Sequence, residues 1–109
     1  MTAYFDNSAT TKPLPEAVEA VARAMTVTWG NPSSLHAAGD AANEQLEAAR
    51  RTVAAAFGCR PQEVYFTSGG TESNNIAVFG TVEALKRRGN RIVTTAVEHP
   101  SVEECMKRL

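Results

Sequence analysis

Apolar positions recur at helical spacing in three stretches of this chain. Ala17, Val18, Val21, Ala22 and Met25 fall on one side of a helix running from Pro15 to about Thr28. Pro13 and Pro15 precede the pattern, and Pro15 suits a first helical turn. Ala42, Leu46, Ala49, Val53 and Phe57 mark a second helix, from about His36 or Gly39 to Phe57, with Gly58 as its stop. Ile76, Ala77, Gly80, Leu85 and either Phe79 or Val82 mark a third, from Gly70 to Arg88. Its last residues, Lys86, Arg87 and Arg88, complement the negative end of a helix dipole, and Gly89 follows. Two short runs have a β-branched and aromatic bias instead, Glu63 to Thr67 and Arg91 to Ala96, and predict strands. Ser101 with Glu104 forms a capping-box pattern that predicts a last helix. The order helix, helix, strand, helix, strand, helix predicts an α/β domain with a parallel sheet.

The most informative join lies between the first predicted strand and the third helix. Residues 64–75 read Val-Tyr-Phe-Thr-Ser-Gly-Gly-Thr-Glu-Ser-Asn-Asn. Gly69 and Gly70 allow a tight turn and close approach of a ligand to the backbone. A helix start presents free N–H groups and the positive end of the dipole, and Thr71 and Ser73 add hydroxyls. A phosphate group suits such a site, and a plain strand-to-helix turn with a serine cap accounts for the same residues equally well. Glu72 is explained by the first-turn dipole, because a carboxylate repels a phosphate. His99 follows the second predicted strand, where ligands of open α/β sheets collect. It also suits a cap for the last helix, ahead of Pro100.

Composition narrows the possibilities. The chain has 109 residues and a formal net charge of −1, which permits one modest domain and leaves no basic footprint for nucleic acid. No apolar run approaches the roughly 20 residues of a membrane span, and the N-terminus does not read as a signal peptide. The two cysteines, Cys59 and Cys105, do not make a disulfide framework, and both read as small packing residues in a reducing cytoplasm. No Cys or His pair has metal-ligand spacing, so no metal site is expected.

Four segments carry a resemblance. They are Tyr4 to Lys12, Gly30 to His36, Thr67 to Asn75, and Thr94 to Pro100. In that order and spacing they resemble the cysteine desulfurases, pyridoxal-phosphate enzymes of the class V aminotransferase group. The resemblance implies the N-terminal part of a fold type I pyridoxal-phosphate-dependent transferase, with helices plus two strands of a mostly parallel sheet. It implies an N-terminal arm over residues 1–14, a helical segment over 15–58, and the start of the cofactor-binding large domain over 59–109. The family's other strands would lie between the two present here. Gly70 and Thr71 match the positions that hold the phosphate of pyridoxal 5'-phosphate. His99 matches the histidine that stacks on the cofactor ring and moves protons. His36 falls in the loop near the family's substrate entrance, and Asn7 and Thr10 to Lys12 in its N-terminal segment, with no chemical step assigned to them.

The activity so implied converts L-cysteine to L-alanine and passes sulfur, as a protein-bound persulfide, to an acceptor scaffold for iron–sulfur cluster or thiocofactor assembly. The enzyme would be a cytoplasmic homodimer. The family's Schiff-base lysine is not matched by Lys12, Lys86 or Lys107, nor its sulfur-accepting cysteine by Cys59 or Cys105. The chain is therefore expected to be a piece of a longer enzyme, inactive alone. Selenocysteine lyases and other class V transferases are alternatives. A short non-catalytic protein that binds a phosphate ligand or a desulfurase is another.

Overall fold

The computed structural model describes residues 3–109. It divides into two compact units, one ending at Val64 and one running from Tyr65 to Leu109.

In the first unit, α1 spans Pro15–Thr26 and α2 spans Ala37–Phe57, followed by a 3-10 turn, Pro61–Glu63. Helix α1 starts on Pro15 after Leu14 and needs no side-chain cap. Its apolar stripe is exposed, with Val18, Val21 and Met25 all more than half accessible. Helix α2 begins at His36, whose ring accepts a hydrogen bond at Nδ1 from the Gly39 N–H (3.3 Å). It ends as the sequence predicts, on Gly58 at φ 65°, the left-handed conformation that carbon-bearing side chains disfavour. The Cys59 N–H then reaches back to the Ala54 carbonyl (3.0 Å). Of the predicted face of α2, Ala42 is buried and Leu46 and Val53 are half-buried, but Ala49 and Phe57 are exposed. Small residues do the close packing here: Gly39, Ala42 and Ala54 are the buried positions of α2.

The loop before α2 is fixed by main-chain contact. A β-carbon built on Gly30 would sit 2.1 Å from the Ala38 carbonyl oxygen, and one on Gly39 would sit 2.1 Å from that of Ser34. Inside the loop, Ser34 N–H bonds the Asn31 carbonyl (3.0 Å), and Ser33 N–H bonds Asn31 Oδ1 (2.9 Å).

In the second unit, α3 spans Gly70–Leu85 and α4 spans Pro100–Arg108, packed on each other. Val78, Phe79 and Val82 of α3 are half-buried, whereas Ile76, Ala77 and Gly80 of the predicted face are exposed. On α4, Ser101 and Cys105 are buried, and Val102 and Met106 are half-buried.

The α/β architecture predicted from the sequence is not what forms: no strand occurs among the described residues. The two strands of a mostly parallel sheet, Glu63 to Thr67 and Arg91 to Ala96, are replaced by irregular chain and turns. A strand exists only when its main-chain groups bond a neighbour. Glu63 instead closes the 3-10 turn, its carboxylate accepting from the Arg60 N–H (2.8 Å) and guanidinium (3.0 Å). Val64 donates its N–H to the Pro61 carbonyl (3.1 Å), and its own carbonyl accepts from Arg50 of α2. Both ladder groups of Val64 are thus used locally. In the second run, Val93 is 87% accessible, and the chain turns at Ala96–Val97 under a Thr95–Glu98 side-chain bond of 2.7 Å. The capping-box expectation also fails: His99, not Ser101, precedes α4, and Glu104 pairs with Lys107 at 2.7 Å.

Two glycines give a graded test. Alanine at Gly58 meets open space, so only the left-handed backbone opposes it, at about 1–2 kcal/mol. Alanine at Gly39 gains about 1 kcal/mol of helix propensity but must displace a main-chain carbonyl, which costs more than about 3 kcal/mol. Urea denaturation followed by circular dichroism should place Gly39→Ala below Gly58→Ala, and both below the parent.

Candidate functional site

The site gathers at the starts of α3 and α4. A helix leaves its first N–H groups without partners inside the helix. In α3 the first intrahelical bond is from Ser73 N–H to the Gly69 carbonyl (3.1 Å), so the N–H groups of Gly70, Thr71 and Glu72 have no helical acceptor. Gly69 supplies no side-chain cap. It is extended, at φ 165° and ψ 178°, a conformation open to any residue, so the tight turn expected of the glycine pair is not its role. Their value is clearance. A β-carbon on either Gly69 or Gly70 would meet nothing within 4 Å, so the helix start is approached freely from outside.

The segment ahead of α3 is braced by side chains. Thr67 Oγ1 lies 2.7 Å from Ser73 Oγ, and it donates to the Gly69 carbonyl at 3.2 Å. Glu72 turns back to accept from the Ser68 N–H (2.6 Å) and the Ser68 hydroxyl (2.7 Å). These two bonds, the main-chain one first, hold its carboxyl below the usual carboxylate value. Its charge is committed to Ser68, which adds a concrete partner to the helix-dipole role read from the sequence.

His99 is the residue before α4 and performs the capping role that the sequence allowed. Its Nδ1 accepts from the Ser101 N–H at 3.1 Å and lies 2.8 Å from the Ser101 hydroxyl. Asn74 Nδ2, on α3, donates to that hydroxyl at 2.8 Å. The Cys105 thiol donates to the Ser101 carbonyl at 3.1 Å. His99 itself is exposed, whereas Ser101 is 9% accessible. A cleft of about 350 Å³ is lined by Gly70, Thr71, Asn74, His99 and Ser101. A neighbouring one of about 410 Å³ shares Thr71, His99 and Ser101 and adds Asn75 and Arg108.

The structure therefore brings Gly70, Thr71 and His99, the three site residues picked from the sequence, to one cleft. His36, Asn7 and Thr10 to Lys12 belong to the other unit. There, Tyr4 Oη donates to the carbonyls of Asp6 (3.0 Å) and Thr10 (3.1 Å), and Thr11 Oγ1 to that of Asn7 (3.3 Å). Asn74 and Ser101 were not picked. The signal for Ser101 was its place two residues after a histidine, but cap preferences rank Ser above His, which put the helix start two residues late.

Of the lysines, Lys86 pairs with Glu83, and Lys107 with Glu103 (2.8 Å) and Glu104 (2.7 Å). Those two carboxylates, Glu103 first, push the Lys107 ammonium above its ordinary value. Both lysines are exposed, as their positions in the sequence indicated. Cys105 is buried as read, but Cys59 is exposed and is not a packing residue. Among the described residues no group of three or more His, Cys, Asp or Glu side chains could hold a metal ion, and no helix is long and apolar enough to cross a membrane.

Comparison with known proteins gives the family of the chain. Residues 3–109 match the model of the aminotransferase class-V family, and the chain belongs to that family. It is 53% identical over 106 residues to a NifS/IcsS protein homolog of Lactobacillus delbrueckii subsp. bulgaricus, covering 97% of this chain and 28% of that protein. It is 50% identical over 103 residues to an IscS-like cysteine desulfurase of Mycobacterium tuberculosis, covering 92% of this chain and 26% of that protein. A selenocysteine lyase of Xenopus tropicalis is 45% identical over 111 residues, with 91% of this chain and 26% of that protein covered. Among solved structures, a NifS-like protein superposes with a TM-score of 0.87 at 40% identity, over 99% of this chain and 30% of that one. The chain thus spans between a quarter and a third of the length of these relatives.

The Glu72–Ser68 contact gives a pH test. The carboxyl of Glu72 is lower in the folded chain than its ordinary value of 4.5. Its contribution to stability is therefore complete above about pH 4.5 and is lost as pH falls through the folded value. Urea midpoints measured between about pH 5 and pH 3 should fall less steeply in Glu72→Gln than in the parent.

Proposed function

We propose that this chain contributes the phosphate-binding helix start and the ring-facing histidine of a pyridoxal-phosphate-dependent cysteine desulfurase. The observation that carries the reading is the meeting of Gly70, Thr71 and His99 on one cleft at the open start of α3. The residues present fit the group. Free N–H groups at a helix start and the Thr71 hydroxyl are oxyanion donors, and the clearance over Gly69 and Gly70 admits a bulky phosphate. Glu72, held by Ser68, is not a free carboxylate at that start. His99 offers an exposed flat ring for stacking and a group that holds or moves a proton.

When bound, pyridoxal phosphate supplies an electron sink for bonds at the substrate Cα. The chain's residues anchor and orient it: the start of α3 fixes the phosphate, and His99 faces the ring. The whole protein's reaction, in this reading, takes L-cysteine to L-alanine and passes the sulfur as a protein-bound persulfide to an acceptor scaffold for iron–sulfur cluster or thiocofactor assembly. A homodimer in the cytoplasm is part of the same reading, and the two free cysteines are compatible with a reducing compartment. The selenocysteine lyase relative favours a second reading, with L-selenocysteine as substrate. Turnover of the two amino acids side by side separates them.

Two substitutions in the protein that carries this segment test the reading. Thr71→Ala should weaken pyridoxal-phosphate affinity by about 1.5–3 kcal/mol, the worth of a hydrogen bond to a charged group. His99→Asn keeps a good cap for α4 but removes the imidazole. It should retain the cofactor by absorbance and lose most turnover of L-cysteine. Unchanged affinity in the first, or full turnover in the second, would overturn the reading.

A further inference from the structure

We infer that Asn74 and Ser101 are positioning residues for His99, holding its imidazole in one plane and in the tautomer that carries the proton on Nε2. The donors force the direction of every bond. The Ser101 N–H can only donate, and it lies 3.1 Å from His99 Nδ1, so Nδ1 presents a lone pair. The Ser101 hydroxyl, 2.8 Å from the same atom, must then donate as well. A donating hydroxyl keeps lone pairs of its own, and Asn74 Nδ2, which can only donate, fills one at 2.8 Å. The chain of bonds runs one way, from the Asn74 amide to the Ser101 hydroxyl to His99 Nδ1. A proton on Nδ1 would face the Ser101 N–H and break it.

Capping α4 does not require this much. One acceptor for the main-chain N–H is sufficient for a cap. The hydroxyl and the amide are additional, they join side chains of two helices, and Ser101 is buried. The Cys105 thiol fixes the Ser101 carbonyl from behind, so the middle member of the relay has little freedom. Asn74 stands one turn along α3 from Gly70 and Thr71. The helix that offers the oxyanion donors is thereby the one that sets the plane of the ring.

The consequence is chemical. The neutral ring presents Nε2–H as a donor, while its basic nitrogen is occupied by two donors of its own chain. His99 therefore meets an acceptor atom first, and takes up a proton on Nδ1 only when the two Ser101 donors release that nitrogen. That consequence rests on the function proposed above; the tautomer does not.

Nitrogen NMR of the imidazole in the protein that carries this segment, with the ring labelled and His99 assigned by its loss in His99→Asn, reads the tautomer directly. The parent should show a pyridine-type Nδ1 and a pyrrole-type Nε2–H. Ser101→Ala leaves only the longer main-chain bond, and the minor tautomer should rise about fivefold, the equilibrium worth of one hydrogen bond. Ser101→Thr should restore the parent ratio, and Asn74→Leu should shift it in the direction of Ser101→Ala. Helix content by circular dichroism should stay constant across the series. An Nδ1–H ring in the parent, or an unmoved ratio in both Ser101→Ala and Asn74→Leu, overturns the inference. In the cofactor-loaded protein, Ser101→Ala should lower kcat several-fold with KM and cofactor retention kept. A shifted tautomer with unchanged turnover upholds the relay and removes only its consequence for turnover. An unmoved tautomer beside a turnover loss in His99→Asn upholds the function and removes the relay.

Discussion

Every helix must dispose of the N–H groups at its start, and the way this chain does so decides where its chemistry can be. Helix α1 opens on Pro15, which has no N–H to satisfy. Helices α2 and α4 each open on a histidine whose Nδ1 takes a main-chain N–H. Helix α3 alone opens on two glycines, with no side chain of its cap turned inward. The acid in its first turn is drawn back to Ser68. What is left is a short stretch of donors with clear space above it, and the packing of α4 on α3 sets an imidazole beside that space. Within the second unit, the rest of the site is support for this opening.

Much of this was legible along the chain, and the part that was not has a common cause. Helix existence and type follow from spacing within a few residues, so α1, α2 and α3 were predicted, and the stop at Gly58 with them; α4 was predicted from a capping box that does not form. Gly70, Thr71 and His99 were singled out through the family resemblance, and they line one cleft. The strands did not follow, because a strand is a relation between two segments and its second member is not local. Val64 has the right residue type, yet Pro61 and Arg50 take its main-chain groups before any ladder forms. The buried faces were only half right for the same reason. Periodicity names a stripe, but the partner decides which part is covered: Phe57 continues the stripe of α2 and remains 81% accessible. Asn74 and Ser101 were invisible as a pair because they are 27 residues apart.

What holds each unit together is small side chains and polar bonds more than bulky apolar ones. The buried apolar residues among those described are Ala42, Ala54 and Cys105. Close approach of backbone to backbone is what such residues permit, and buried polar groups then need partners at short range. Ser101 has them on every side, and no buried side-chain polar atom among the described residues is left without one. The histidine in the site is accordingly fixed by hydrogen bonds that have direction, where an apolar wall would have fixed only its position.

The contact between the Gly30–Ser34 loop and the start of α2 has a consequence for how such a chain can vary. Gly30 lies against the Ala38 carbonyl and Gly39 against that of Ser34, so the loop is gripped at both ends by bare main chain. The nearest side-chain atom in the grip is the Ser34 β-carbon, which cannot lengthen, bend or rotate to take up slack. The distance along the chain between the two glycines works as a ruler, and one residue added or removed would throw both contacts out of register together. Relatives that keep this arrangement can exchange residues within the loop but not alter its length, so an alignment gap between the two glycines would mark a chain in which α2 begins differently.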